Sequence, residues 1–121
     1  MIDTLVEPKL SVSRAGVKRW KVDGKLHRLD GPALEYPDGT HAWYYYDVIH
    51  RADGPAIRTQ QKSYEWRHWN KLHRLLGPAV EYDNGRVEWW LEGKQLRFEE
   101  YIKHVPLIYQ EERLALILQH G

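Results

Sequence analysis

The chain has 121 residues, enough for one domain with a modest core, and its 18 Lys and Arg residues nearly balance 17 Asp and Glu residues. The balance also holds over residues 20–97, with 12 basic and 11 acidic side chains, so no long basic stripe is available to bind many phosphates. The sequence has no cysteine for a disulfide or thiolate metal site, and no apolar run approaches the roughly 18 residues of a membrane span.

The N-terminal residues 1–19 are expected to form a cap that contains a partial repeat. Gly16 lies 23 residues before Gly39 and 4 residues before Trp20, in step with the repeat that follows. Residues 1–10 lack the charged start and apolar core of a signal peptide, so we expect a cytoplasmic protein.

A 23-residue unit then occurs three times, over residues 20–42, 43–65 and 66–88. Each unit opens with Trp, carries His-Arg seven and eight residues later, and continues with Gly-Pro-Ala. The structural slots predicted from these constant positions are Trp20, Trp43, Trp66 and Trp89, His27, His50 and His73, Arg28, Arg51 and Arg74, and Gly31, Gly54 and Gly77.

Two turn slots in each unit predict two strands. Gly24, Asp47, Asn70 and Gly93 share one slot, and all are residue types that tolerate positive φ in a tight hairpin. Asp38-Gly39 and Asn84-Gly85 mark the second slot, which reads Gln60-Gln61-Lys62 in the middle unit. We therefore predict a mainly β fold, an antiparallel hairpin meander of six to eight short strands, with longer strands over 40–46, 63–69 and 86–91.

The array ends in a degenerate unit over 89–97 and a helical cap over 98–119. Phe98, Tyr101, Ile102 and Val105 follow helical spacing, and Pro106 breaks this first helix. A second helix is predicted over 107–119, with an apolar stripe of Ile108, Leu114, Ile117 and Leu118. The last unit of a solenoid exposes one core face, which these helices are expected to cover.

The Leu-His-Arg-x-Asp-Gly-Pro-Ala motif, followed by Tyr-x-Asp-Gly and Trp, resembles repeats of bacteriophage and large-virus proteins. The unit length and Gly-aromatic-Gly rhythm are also similar to the MORN repeat and its variants, over roughly residues 11–97. This resemblance implies successive hairpins in an elongated, grooved sheet, and a role as scaffold, lipid binder, protein binder or antitoxin. The third unit departs from the motif at Leu76, where the first two have Asp30 and Asp53.

The His-Arg pairs have two interpretations. We expect them to bond the backbone of the Gly-Pro-Ala corner and the adjacent aspartate, with ion pairs between Arg28 and Asp30 and between Arg51 and Asp53. Alternatively, the row of His and Arg donors grips an acidic partner. Histidines of neighbouring units would lie about 10 Å apart, too far to share one zinc ion, so we expect no metal or cofactor.

The variable slots beside each Trp are the candidate binding site. Strand alternation predicts that the residues one and three positions after each Trp share a face, opposite to the Trp. Tyr, Trp and Arg dominate interface hot spots, and in these slots they form an expected patch with Lys21. Alternatively, this face packs under the C-terminal helices. The candidate binding residues are Lys21, Tyr44, Tyr46, Arg67, Trp69 and Trp90.

No catalytic constellation is apparent, since the three serines lie outside any nucleophile elbow and no phosphate loop is present. We therefore expect a non-enzymatic protein-binding module. The viral resemblance implies a phage accessory protein that inhibits a bacterial defence effector, such as a CRISPR or nuclease effector, in the host cytoplasm. The alternatives are nucleic-acid binding through aromatic stacking with Arg67 and Lys21, and self-association through sheet edges.

Overall fold

The computed structural model describes residues 6–121; residues 1–5 of the predicted N-terminal cap lie outside that range. Short antiparallel strands and two C-terminal helices make up this part of the chain, so the predicted fold class is confirmed. The strands are β1 (Lys9–Val12), β2 (Lys18–Val22), β3 (Lys25–Leu26), β4 (Leu34–Glu35), β5 (His41–Ala42), β6 (Tyr44–Tyr45), β7 (Val48–Ile49), β8 (Ile57–Arg58), β9 (Tyr64–Glu65), β10 (Arg67–His68), β11 (Lys71–Leu72), β12 (Val80–Glu81), β13 (Val87–Leu91) and β14 (Lys94–Leu96).

Ten strands form one continuous antiparallel sheet, with the order β1-β2-β4-β5-β8-β9-β12-β13-β14 and with β3 paired to β2. The hairpins β6-β7 and β10-β11 form separate two-stranded sheets beside it. Each unit therefore adds strands next to those of the preceding unit, which spreads equivalent residues along one direction of the sheet.

The predicted number of six to eight strands is wrong, because two of the three long predicted strands break at their Trp, whereas β13 runs unbroken through Trp89. The stretch predicted over 40–46 splits at Trp43 into β5 and β6. β5 pairs with β4 and β8, whereas β6 turns away to pair with β7. At the break, the Trp43 N–H donates to the Ala56 carbonyl at 2.7 Å, which keeps its backbone bonded across the bend.

The first predicted turn slot is occupied by two consecutive residues with positive φ. Tyr46 and Asp47 have φ of 43° and 67°, and Trp69 and Asn70 have 48° and 64°. Asp23-Gly24 and Glu92-Gly93 repeat this pattern in the outer units. Two positive φ values are the signature of the type I′ hairpin turn, whose twist matches that of the flanking strands.

The second turn slot is retained in the middle unit despite its different sequence. Lys62 has φ of 62° where Gly39 and Gly85 have 94° and 89°. The Thr59 N–H donates to the Ser63 carbonyl at 2.9 Å, and the Thr59 hydroxyl also contacts the Ser63 hydroxyl at 2.6 Å. These local contacts stabilise the turn in which Lys62 adopts the left-handed conformation that glycine adopts in the other units.

Two helices follow the sheet. Helix α1 (Phe98–Tyr101) continues as a 3-10 turn at Ile102–His104, and a second 3-10 turn at Leu107–Tyr109 leads into α2 (Gln110–His120). They pack against the Trp89 side of β13 and form the main apolar cluster of the described chain. Its buried members are Trp89, Tyr101, Ile102, Val105 and Leu116.

The apolar positions predicted for the first helix are confirmed, but the stripe predicted for the second is largely wrong. Leu116 is buried and Ile117 packs beside it, whereas Ile108, Leu114 and Leu118 are 85%, 57% and 79% exposed. The first turn of the predicted second helix, Leu107–Tyr109, is a 3-10 turn, in which successive side chains are separated by a larger angle than in an α-helix. Ile108 therefore does not lie on the same side as the buried residues of α2. Leu114 and Leu118 point away because α2 contacts the sheet along one narrow side.

At the other end of the array, β1 extends the sheet as an edge strand, and all four of its residues are exposed. Within the expected N-terminal cap, residues 9–12 therefore form an additional strand of the sheet. Gly16 has φ of 86° and donates to the Ser13 carbonyl, as Gly39 donates to the Tyr36 carbonyl. This turn corresponds to the second turn slot of the later units.

Candidate functional site

The motif histidines join each unit to the next. His27 Nδ1 accepts the N–H of Tyr46 at 3.2 Å, and His50 Nδ1 accepts the N–H of Trp69 at 3.0 Å. His73 repeats the contact with the N–H of Glu92 at 3.0 Å. In each case the donor is the first residue of the next type I′ turn. The three histidines therefore hold the hairpins in place.

The motif arginines hold the corners. Each guanidinium lies 3.9 Å from the centre of the Trp ring eight residues earlier, which is cation–π geometry. Arg51 also donates to the Pro55 carbonyl at 3.2 Å and pairs with Asp53 at 2.9 Å. Arg28 makes the equivalent contacts, so the two expected ion pairs with Asp30 and Asp53 are present.

The glycine of each corner leaves room for the stacked guanidinium. A Cβ added to Gly54 would lie 2.5 Å from Arg51 Cζ, and the other two corners are equally tight. The guanidinium is therefore enclosed between the Trp ring and the glycine backbone. A group held this tightly is poorly placed to grip a partner, which argues against the interpretation of the His-Arg row as a binding site.

Leu76 replaces the motif aspartate of the first two units, and it lies where the helical cap contacts the third corner. Leu76 packs against the apolar cluster, and no aspartate stands two residues after Arg74. Arg74 keeps only the pair with Glu81 at 3.3 Å, which corresponds to the pair of Arg28 with Glu35, and burial lowers the pKa of Arg74. Tyr101 is completely buried, and its hydroxyl contacts the carbonyls of Arg74, Leu75 and Gly77 and accepts the Gly77 N–H.

The predicted face assignment is wrong for Tyr46 and Trp69. Tyr46 stacks on His27 at 3.9 Å between ring centres, and Trp69 stacks on His50 at 3.8 Å. Trp69 also contacts Tyr45, which occupies the slot between the two predicted ones. The alternation of side chains holds only within a strand, and both residues begin a turn with positive φ, which redirects their side chains.

Tyr44, Arg67 and Trp90 form the remaining variable row, which we call the variable face. They are half-buried, at equivalent positions of three consecutive units, on the side of their strands opposite to Tyr45, His68 and Leu91. Lys21 occupies the same slot in the first unit and is exposed. Tyr44 and Arg67 lie in the hairpins β6-β7 and β10-β11, and Trp90 lies in β13 of the large sheet.

Neighbouring carboxylates fix two of the three side chains of this face, those of Arg67 and Trp90. Arg67 Nε donates to Glu65 at 2.9 Å, and Trp90 Nε1 donates to Glu88 at 2.9 Å. Glu88 also accepts the Tyr82 hydroxyl at 2.7 Å, which raises the pKa of Tyr82. Burial raises the pKa of Tyr44. The aromatic and guanidinium groups are thus held before any partner binds.

The helices pack on the side of β13 that carries Trp89, opposite to the side of Trp90. The ring of Trp89 contacts Phe98, Tyr101 and His120 at centroid distances between 4.7 and 4.9 Å, whereas Trp90 is not part of the apolar cluster. The alternative in which the helices cover the variable slots is therefore wrong.

Clefts between successive corners line the Trp side of the sheet, and sequence reasoning did not anticipate them. One cleft of about 380 Å³ lies beside Trp20 and His27 at the first corner, and another of about 300 Å³ lies beside Trp66, His68 and His73. Their arginines are the stacked ones described above. Within residues 6–121, no group of three His, Asp or Glu side chains is arranged to hold a metal ion.

Comparisons with protein-family models, curated proteins and solved structures found no match for this chain. Among the described residues, neither helix has the length and apolar character needed to cross a membrane.

Proposed function

We propose that the protein is a non-enzymatic binding module for another protein, with the variable face as its contact surface. The observation that supports this proposal is that the constant and the variable positions of the repeat make different contacts. The constant His, Arg and Trp side chains are engaged in contacts within the chain, while the changing slot carries Tyr44, Arg67 and Trp90, none of which belongs to the apolar cluster under the helices. Large, fixed aromatic and Arg side chains are the usual anchors of protein interfaces.

Affinity capture from bacterial lysate with quantitative mass spectrometry tests this proposal. The bait is compared with the triple variant Tyr44→Ser, Arg67→Ser and Trp90→Ser. Trp69→Ser serves as a matched control, because Trp69 is 49% exposed but lies away from the variable face. A protein retained by the wild type and the control but lost from the triple variant supports the variable face. The purified pair should then form a defined complex by light scattering.

Equal retention of every partner by the triple variant contradicts the assignment, provided that circular dichroism shows a folded protein. Binding to DNA or RNA that weakens steeply with salt would instead favour the nucleic-acid alternative.

We propose in addition that the target is a bacterial defence effector, such as a CRISPR or nuclease effector. The resemblance of the motif to phage repeats supports this target class, and blocking would need only a stoichiometric complex. Expression of the protein in a bacterium with such a system should restore plaque formation by a sensitive phage. The triple variant should not restore it, and failure of the wild type against a panel of systems would reject this target class.

A further inference from the structure

The N-terminal end of the array carries a concentration of unpaired positive charge. Residues 7–25 contain six basic and two acidic side chains, although the whole chain has a net charge of only +1. None of the six forms an ion pair with a carboxylate within residues 6–121. The six are Lys9, Arg14, Lys18, Arg19, Lys21 and Lys25.

Five of these charges lie on β1, on β2 or in the turn between them, whereas Lys25 lies on β3 beyond β2, and Lys18 is also opposite Glu35 of β4. Edge strand β1 pairs with β2 in a register that places Lys9 opposite Lys21 and Ser11 opposite Arg19. Like charges directly opposite each other destabilise an antiparallel pair. Glu7 and Asp23 line a shallow cleft beside Lys9 and Lys21 without reaching ion-pair distance of either. The local field therefore favours a negatively charged neighbour.

The backbone of β1 is arranged to accept another strand. The Ser13 N–H donates to the Val17 carbonyl at 3.0 Å, and bonded pairs alternate along an antiparallel ladder. The N–H and C=O groups of Leu10 and Val12 consequently point outward from the edge. Their side chains are 50% and 57% exposed and lie on the face opposite to Lys9 and Ser11.

We propose that β1 is a docking edge for an extended acidic segment of a partner protein, which adds to the sheet as a further strand. Residues of the segment opposite Lys9 and Ser11 would carry carboxylates toward Lys9, Arg19 and Lys21. The alternating residues would place apolar side chains beside Leu10 and Val12. Main-chain hydrogen bonds supply affinity in this mode of recognition, and the alternating side chains supply specificity. The docking edge does not depend on the variable face.

Protection against aggregation and pairing with a second copy of the chain both fit this edge less well. Lysine on an edge strand commonly prevents aggregation, but here the cations extend to β2 and the edge keeps two exposed apolar side chains. A second copy would pair through one of the two end strands of the large sheet, and neither β1 (Lys9–Val12) nor β14 (Lys94–Leu96) contains an acidic residue. An acidic segment satisfies the charge, the apolar positions and the open backbone together.

The test uses a blocked seven-residue peptide of alternating Val and Glu, added to the full ¹⁵N-labelled protein. Binding should shift the amide signals of residues 9–12 and slow the hydrogen exchange of Leu10 and Val12. Two peptides serve as controls, one with Lys in place of Glu and one with the same composition in blocks. Both should bind at least about tenfold more weakly, because they lose the charge or the alternation.

Two variants separate docking from folding. Lys9→Glu should weaken peptide binding about threefold to tenfold by replacing an exposed attraction with a repulsion, while it raises the melting temperature by pairing with Lys21. Val12→Pro removes an outward N–H and should abolish binding without breaking the inner ladder. Lys94→Glu, on the opposite edge, is the matched control and should bind the peptide normally.

The proposal is overturned if both variants bind the peptide like the wild type, or if the shifts appear at Tyr44, Arg67 and Trp90 instead. Tighter binding of a twelve-nucleotide thymidine strand to the same amides would identify a phosphate-binding surface. A dimer that forms through β1 without peptide would identify a second copy as the occupant. Either of these results also rejects the acidic segment.

Discussion

At the scale of single residues, the three motif histidines carry the hydrogen bonds between consecutive units. Each accepts a backbone N–H through Nδ1, so the ring must be unprotonated at that nitrogen. His50 shows the consequence for its charge state. Burial and the nearby His68, 4.7 Å away between ring centres, lower the pKa of His50 below its ordinary value of 6.5.

We predict that the protein loses stability in mild acid through this junction. The unfolded chain takes up a proton at His50 near pH 6.5 and the folded chain only at lower pH, so the contribution of His50 is complete above pH 6.5. It declines as the pH falls through the folded pKa. Urea unfolding at pH 7 and pH 5 should show a smaller acid-induced loss for His50→Gln than for the wild type. An equal loss in both proteins would contradict this account.

At the scale of elements, α1 is anchored to the third corner by one side chain. The Tyr101 hydroxyl is surrounded by carbonyl oxygens of Arg74, Leu75 and Gly77 and accepts the Gly77 N–H. The corner of this unit has lost its aspartate, and the helix supplies polar and apolar contacts in its place. Trp89 likewise lacks a stacked guanidinium, because Arg97 is exposed and Phe98 and His120 contact the ring.

We predict that Tyr101→Phe lowers the free energy of unfolding by about 1–3 kcal/mol, because it leaves buried backbone groups without their partner. Tyr109→Phe is the matched control, since Tyr109 packs on the same cluster without a side-chain hydrogen bond in the described chain. It should change stability by less than about 0.5 kcal/mol in urea denaturation. Similar losses in both variants would show that the hydroxyl contacts of Tyr101 contribute little.

The elements also mark the limits of prediction from sequence. Turn residues and repeated motifs predict the hairpin meander, because Gly24, Asp47 and Asn70 are residue types that favour positive φ, and all three have positive φ in the structure. The faces of Tyr46 and Trp69 were mispredicted, because strand alternation was extended into a turn. Large aromatic residues are unusual at the first position of such a turn, so the sequence did not mark these two residues as turn residues. The break at Trp43 is a change of partners, since β5 pairs with β4 and β8 whereas β6 pairs with β7, and no local pattern encodes this change.

At the scale of the whole molecule, packing is uneven. The apolar cluster lies at the C-terminal end, where helices and β13 meet, while the N-terminal end is an exposed edge strand. In a linear array each unit is stabilised mainly by its immediate neighbours, so the two ends experience different support. The middle units depend on stacked Trp and Arg side chains and on small buried residues such as Ala33 and Ala56.

We predict a gradient of local stability along the array. Native-state hydrogen exchange should give low protection at β1, intermediate protection at β5 and β8, and the highest protection at β13, which packs under the helices. Local opening without global unfolding should therefore begin at the N-terminal edge. Uniform protection from β1 to β13 would mean that the units unfold as one cooperative block.

The histidine junction has a further consequence for how such chains change over evolutionary time. Each unit carries an acceptor histidine that fits the hairpin of any following unit, whatever residue stands first in the turn, since Tyr46, Trp69 and Glu92 all serve as donors through their backbone. Duplication or loss of one 23-residue segment between residues 20 and 88 therefore leaves matched junctions on both sides. The gene can lengthen or shorten its array by recombination, and each added copy contributes one more freely varying surface position.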